Sequence, residues 1–247
     1  MFLLLACDPT TVTPPDDSAV VVDSEETGEG DPCTVDPQPI EPDPGEDCPG
    51  LEGGLFAIEE GSYWLSQPSE STSQTQTLLF LGGGGADQQG VQFNLQGLLG
   101  RDERLAQVRI VAPWVGDSDR EAGALAALAE VQDCFGGDLS RVHLLGHSSG
   151  GRVAFSLALE QRFTTLIGFP ALFDASVDDA ELEQSLECVP VLHAVGEEDS
   201  WRSEVEATHQ RLEELGLDST LWVVEGEGHV PGPDFDSGPI YDWIESR

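Results

Sequence analysis

The sequence predicts an α/β fold, a mostly parallel central sheet with helices on both faces and no large lid domain. Three observations carry that expectation. Short apolar runs such as Thr77–Leu81, Val142–Leu145, Thr165–Phe169 and Val189–Val195 have the continuous character of strands buried on both sides. Segments of helical period separate them, as strand–helix–strand crossovers require. Gly146-His147-Ser148-Ser149-Gly150-Gly151 lies between one such run and a helical pattern, where glycines permit a turn too sharp for side chains.

Taken in order, residues 1–7 are expected to be a truncated lipoprotein-type signal. Met1-Phe2-Leu3-Leu4-Leu5-Ala6-Cys7 is too short to span a bilayer, and Leu4-Leu5-Ala6-Cys7 resembles the bacterial lipobox, in which Cys7 would be acylated. Residues 8–50 are rich in Asp, Glu, Pro, Thr and Gly, contain no basic residue and have few large apolar ones. Such a stretch cannot bury enough surface to offset its ordering entropy, and is expected to be an extended tether. Residues 51–247 then form the folded domain.

Within that domain Leu55–Ser66 alternates as a strand or hairpin, and Thr77–Leu81 is a buried strand ending at Gly82-Gly83-Gly84-Gly85. Arg109–Pro113 is a strand and Arg120–Phe135 an Ala/Leu-rich helix stopped by Gly136-Gly137. Arg141–Leu145 leads into the Ser148 turn, with a helix over 149–162 behind it. Thr165–Phe169 and Val189–Val195 are strands, and Glu204–Leu215 is a helix stopped by Gly216. Ser219–Val224 is the last strand, and Phe235–Ser246 suits a closing helix. Only about twenty residues separate the strand ending at Phe169 from the next, too few for a lid, so an open site is expected.

Charge narrows the function classes. The formal net charge is −37, and all ten cations are arginine. Nucleic-acid binding is excluded for want of a cationic face. Membrane contact is expected only through a lipid on Cys7. Besides Cys7, four cysteines remain, Cys33, Cys48, Cys134 and Cys188, an even number that suggests two disulfides in an exported chain. The three pairings stay open, with proximity favouring Cys33–Cys48 and Cys134–Cys188.

Ligands in such a sheet bind at the carboxyl ends of the strands. After Val195 comes Gly196-Glu197-Glu198-Asp199, and after Val224 comes Gly226-Glu227-Gly228-His229. A serine hydroxyl needs a base and an orienting acid to act as a nucleophile, and Ser148, Asp199, His229 supply them in the chain order of a hydrolase triad. Asp174, Glu197 and Glu198 are the alternative acids. Bare backbone at Gly83 or Gly84, paired with the N–H of Ser149, suits a developing oxyanion. His147 is expected to line the pocket mouth. Trp114 and Trp201 either wall the cleft or pack beneath its loops. His193 reads as a core residue of its strand and His209 as a helix-surface residue.

No metal or other cofactor is expected. The cysteines lack C-x-x-C spacing, His143 and His147 lack an H-E-x-x-H glutamate, and the glycine run lacks the lysine of a phosphate loop. Asp117, Asp119 and Glu121 miss the spacing of a calcium loop.

Residues 75–235 resemble the extracellular esterases of the α/β-hydrolase superfamily that include polyhydroxybutyrate depolymerases and feruloyl esterases. The resemblance lies in Leu79–Gly85, Arg141–Gly151, Val191–Asp199 and Gly226–His229, with Leu81-Gly82 where many relatives have His-Gly. It implies a serine esterase acting on short acyl or polymer-linked esters; with the Cys7 signal, a secreted or lipid-anchored enzyme is expected, and a monomer. A scaffold retained only for binding would be expected to lose a triad member. A peptidase of this fold usually brings an added propeller or cap, and neither is evident.

Overall fold

The structure, a computed structural model, describes residues 33, 39–41, 48, 54–58, 61–68, 72–84, 88–99, 104, 107–115, 120–161, 163–174 and 176–247. Cys7, the expected tether as far as residue 32, Gly85, Asp117 and Asp119 lie outside them.

Among the described residues eight strands form one sheet. In chain order they are β2 (Gly54–Ile58), β3 (Gly61–Ser66), β4 (Thr77–Leu81), β5 (Arg109–Val115), β7 (Val142–His147), β8 (Thr165–Phe169), β9 (Val191–Gly196) and β10 (Ser219–Val224). A two-residue pair, β1 (Pro39–Ile40) with β6 (Gly137–Asp138), lies apart from the sheet. Spatial order is β10-β9-β8-β7-β4-β5-β3-β2. The six strands from β10 to β5 run parallel, and the β2–β3 hairpin joins β5 antiparallel. The connection after β5 crosses back past β4 to β7, so the strand order reverses between β4 and β7, the point at whose carboxyl ends sheets of this kind bind ligands.

Two cores, one on each face, explain why the strands read as unbroken apolar runs. On one face Leu79, Leu81, Leu144, Leu166 and Val191 pack under α2 (Arg120–Phe135), α3 (Ser149–Glu160), α4 (Asp179–Leu186) and α5 (Arg202–Glu214). On the other, Leu78, Phe80, Leu145, Ile167 and Leu192 pack under α1 (Gln88–Leu98) and α6 (Gly238–Glu245). Burying one such side chain contributes about 1.5–3 kcal/mol, so both faces are strongly specified. Between Phe169 and Val191 the chain has room only for α4. Among the described residues no helix is long and apolar enough to cross a membrane.

The disulfides depart from the pairing that proximity favours. Cys33 joins Cys188 and Cys48 joins Cys134, with Cα atoms 4.9 Å and 5.5 Å apart. Between Cys33 and Cys48 in the sequence, Pro39 and Ile40 pair with Asp138 and Gly137. This part of the segment expected to be a tether is therefore fastened to the domain. All four cysteines sit at the amino-end rim of the parallel strands, where Arg109 is also buried. Its guanidinium donates to the carbonyls of Phe135 and Gly136 at the end of α2 and to Gln67, a cation placed at a helix C-terminus. Desolvation lowers its pKa to about 10.

Candidate active site

The turn after β7 is as sharp as its glycines suggest. A Cβ at position 146 would lie 2.5 Å from the Gly151 Cα, and one at 150 would lie 2.1 Å from the Leu81 carbonyl oxygen. Ser148 is the one described non-glycine residue with positive φ, at φ 55° and ψ −121°. That conformation costs on the order of 1–3 kcal/mol and persists because neighbours enforce it. The Ser148 N–H donates to the carbonyls of Phe169 and Pro170 at 3.2 and 3.0 Å. Although Ser148 is the N-cap of α3, its hydroxyl does not cap the helix.

The hydroxyl instead lies 2.8 Å from His229 Nε2. His229 Nδ1 lies 3.2 and 3.1 Å from the two oxygens of Asp199, whose side chain is fully buried. With Nδ1–H donating to that carboxylate, Nε2 carries the lone pair that faces the serine. Asp199 also accepts from the Trp201 N–H at 2.8 Å, which fixes its rotamer. A Cβ on Gly196 would lie 2.3 Å from the Glu227 carbonyl oxygen, so a bare backbone there lets the His229 loop settle on the Asp199 loop. Gly226, at φ 71°, turns that loop back toward the sheet.

Two of the alternative acids, Asp174 and Glu197, have other partners. Asp174 accepts from the Ser176 N–H in a local turn, and that bond holds its carboxyl below the ordinary range. Glu197 accepts from the Gly226 N–H.

His147 is not at the pocket mouth. It follows the same face of β7 as Leu145, is buried, and donates from Nε2 to the His229 carbonyl at 3.0 Å, beneath the loop that carries His229. Desolvation is the largest influence on it and lowers its pKa. Trp201 is brought to the site, with its ring centroid 4.8 Å from that of His229 and the Arg152 guanidinium over its ring at 5.8 Å. Trp114 instead packs against the core on the α1 and α6 face.

Gly83 stands against Ser148. A Cβ there would lie 2.6 Å from the Ser148 Cβ. Gly84 is at φ 65° with open space around it. The Asn94 amide donates to the Gly83 carbonyl at 3.3 Å, and the Arg120 guanidinium donates to the Gly82 carbonyl at 2.6 Å. Neither Asn94 nor Arg120 stands out in the sequence, because one lies in a Gln-rich stretch and the other at the start of an Ala-rich helix. Among the described residues no cluster of His, Cys, Asp or Glu could hold a metal ion.

Known structures share this arrangement of strands and helices. S-formylglutathione hydrolase from Staphylococcus aureus superposes with a TM-score of 0.61 at 14% identity, over 78% of this chain and 96% of its own. A fungal esterase from Rhizomucor miehei gives 0.57 at 16% identity, over 79% and 80%. A thermophilic esterase from Thermogutta terrifontis gives 0.55 at 14% identity, over 78% and 91%. The fold is that of the α/β-hydrolases. No protein-family model matches the sequence, and no curated protein sequence does either. In this scaffold Gly83 follows β4 and Ser148 follows β7 at the point where the strand order reverses, while the loops after β9 and β10 bring Asp199 and His229 to Ser148.

Proposed function

We propose that this chain is a serine esterase that cleaves carboxylic esters, short acyl or polymer-linked, through an acyl-enzyme on Ser148. The observation that carries the reading is the unbroken relay from the Ser148 hydroxyl through both nitrogens of His229 to the buried Asp199. In this reading Ser148 Oγ attacks the ester carbonyl carbon as His229 Nε2 takes its proton, and Asp199 stabilises the imidazolium without being protonated. The carbonyl oxygen becomes an alkoxide facing the N–H groups of Gly83 or Gly84 and of Ser149. Collapse expels the alcohol, which leaves with the proton from His229, and a water molecule repeats the sequence to release the acid. Trp201, edge-on to His229, is proposed to wall the cleft.

An exported location fits two disulfides, which persist in oxidising compartments. We further propose that Cys7 carries a lipid, that residues 8–32 form an acidic tether, and that the enzyme works as a monomer without a cofactor. Turnover of short p-nitrophenyl esters by the purified protein, abolished in Ser148→Ala, is the expected result. A folded protein that neither turns over these esters nor is labelled at Ser148 by a fluorophosphonate overturns the reading.

A further inference from the structure

We infer that Arg120 is a positioning residue for the oxyanion site, acting through the peptide unit that joins Gly82 to Gly83. The inference rests on the esterase reading above. One guanidinium has two legs here. It donates from one nitrogen to the Gly82 carbonyl at 2.6 Å and from another to the Ser149 hydroxyl at 3.3 Å. Those groups belong to the two segments that meet at the sheet's reversal point, the loop after β4 and the first turn of α3.

A trans peptide is a rigid plane whose carbonyl and N–H point in opposite directions, and the described chain contains no cis bond. Holding the Gly82 oxygen therefore aims the N–H of Gly83, the residue that lies against Ser148. The restraint is needed because the loop has no side chains of its own to hold it. Gly82 and Gly83 admit close approach by Val91 and Ser148, but glycines on both sides also let the peptide rotate at little steric cost. Asn94 performs the same service for the next peptide, whose carbonyl is that of Gly83.

Charge adds to aim. A cation on a carbonyl oxygen polarises the amide and strengthens its N–H as a donor. Arg120 is the first residue of α2, where the helix dipole disfavours a positive charge. Holding the loop after β4 supplies a reason for an arginine there.

The test compares Arg120→Ala and Arg120→Lys with wild type on p-nitrophenyl esters. Near-UV circular dichroism and thermal melting establish that each variant is folded. In Arg120→Ala, kcat should fall about 10²-fold, the typical cost of one lost oxyanion donor, with KM within about threefold of wild type. Arg120→Lys should fall between the two, and millimolar guanidinium should restore part of the Arg120→Ala rate. The Gly83 amide proton should move upfield in Arg120→Ala, a signature that a clamp acting only on stability does not produce. With wild type active, an unchanged kcat, a loss confined to KM, or an unmoved Gly83 resonance overturns the role of Arg120 alone. A wild type without turnover overturns the esterase reading, and the role of Arg120 with it.

Discussion

The two rims of the parallel sheet are built on opposite principles. At the amino-end rim the chain is locked by two disulfides, a short strand pair and the Arg109 guanidinium on the end of α2. At the carboxyl-end rim the described residues form no covalent cross-link. There, missing side chains do the positioning: glycines at 83, 146, 150 and 196 let backbone segments approach within distances that any Cβ would forbid. That rim also holds Ser148 in a conformation that costs energy. The contrast teaches where each kind of interaction is useful. Close approach of backbone to Ser148 depends on side chains being absent, whereas cross-links on the far rim add stability without entering that geometry.

The strongest way to break the comparison is Ser148→Gly. Turnover should fall by about 10⁴-fold or more, while the melting temperature rises because glycine adopts positive φ without strain. A lower melting temperature would show that Ser148 is not strained. Next comes the acid. Asp199→Asn should lower kcat by about 10⁴-fold by favouring the wrong imidazole tautomer. Asp174→Asn should stay near wild type, because Asp174 is engaged in its own turn. Equal losses in the two variants would move the relay to a different carboxylate.

The far rim should respond in stability and not in rate. Replacing Cys48 and Cys134 together by serine should cost about 2–5 kcal/mol in denaturant unfolding and leave kcat unchanged. A fall in kcat under folded conditions would mean that the two rims are coupled. The smallest expected effect is pH dependence from the core between them. Burial pushes His143 and His193 down to about 3, helped by Arg141 for the first and His209 for the second. The unfolded chain binds those protons near pH 6.5 and the folded chain does not, so their contribution is intact above about 6.5 and drains away as pH falls toward 3. Between pH 7 and 5 each should cost about 2 kcal/mol. His193→Met should flatten that decline in a pH series of melts, and an equal slope in both proteins would discount the buried imidazole.

The carboxyl-end rim was the more legible in the sequence. Its parts follow from local rules: glycine spacing around Ser148, and polar residues placed just after strands that end at Gly196 and Val224. Residues whose position depends on the rest of the fold were harder. The cysteine pairing joins residues 155 and 86 positions apart, contacts that leave no local pattern in the sequence. His147 was expected at the pocket mouth, but the two-residue alternation of β7 turns it inward. Of the two tryptophans open to either reading, Trp201 meets His229 and Trp114 joins the core. Two helices left signals that could have been read. Val91, Leu95 and Leu98 follow helical spacing in α1, and Asp178 caps α4 by accepting from the Glu181 N–H.

The route of the two cross-links has a consequence for a chain cut by a protease. A cut between Cys33 and Cys188 severs the backbone but releases nothing, because the fragments stay joined through sulfur and separate only when a reducing agent is added. That protected span holds Gly83, Arg120 and Ser148. A cut just beyond Cys188 is different, since it leaves the piece bearing Asp199 and His229 with no covalent hold on the remainder. Partial digestion resolved with and without reductant would therefore divide the molecule between Ser148 and His229.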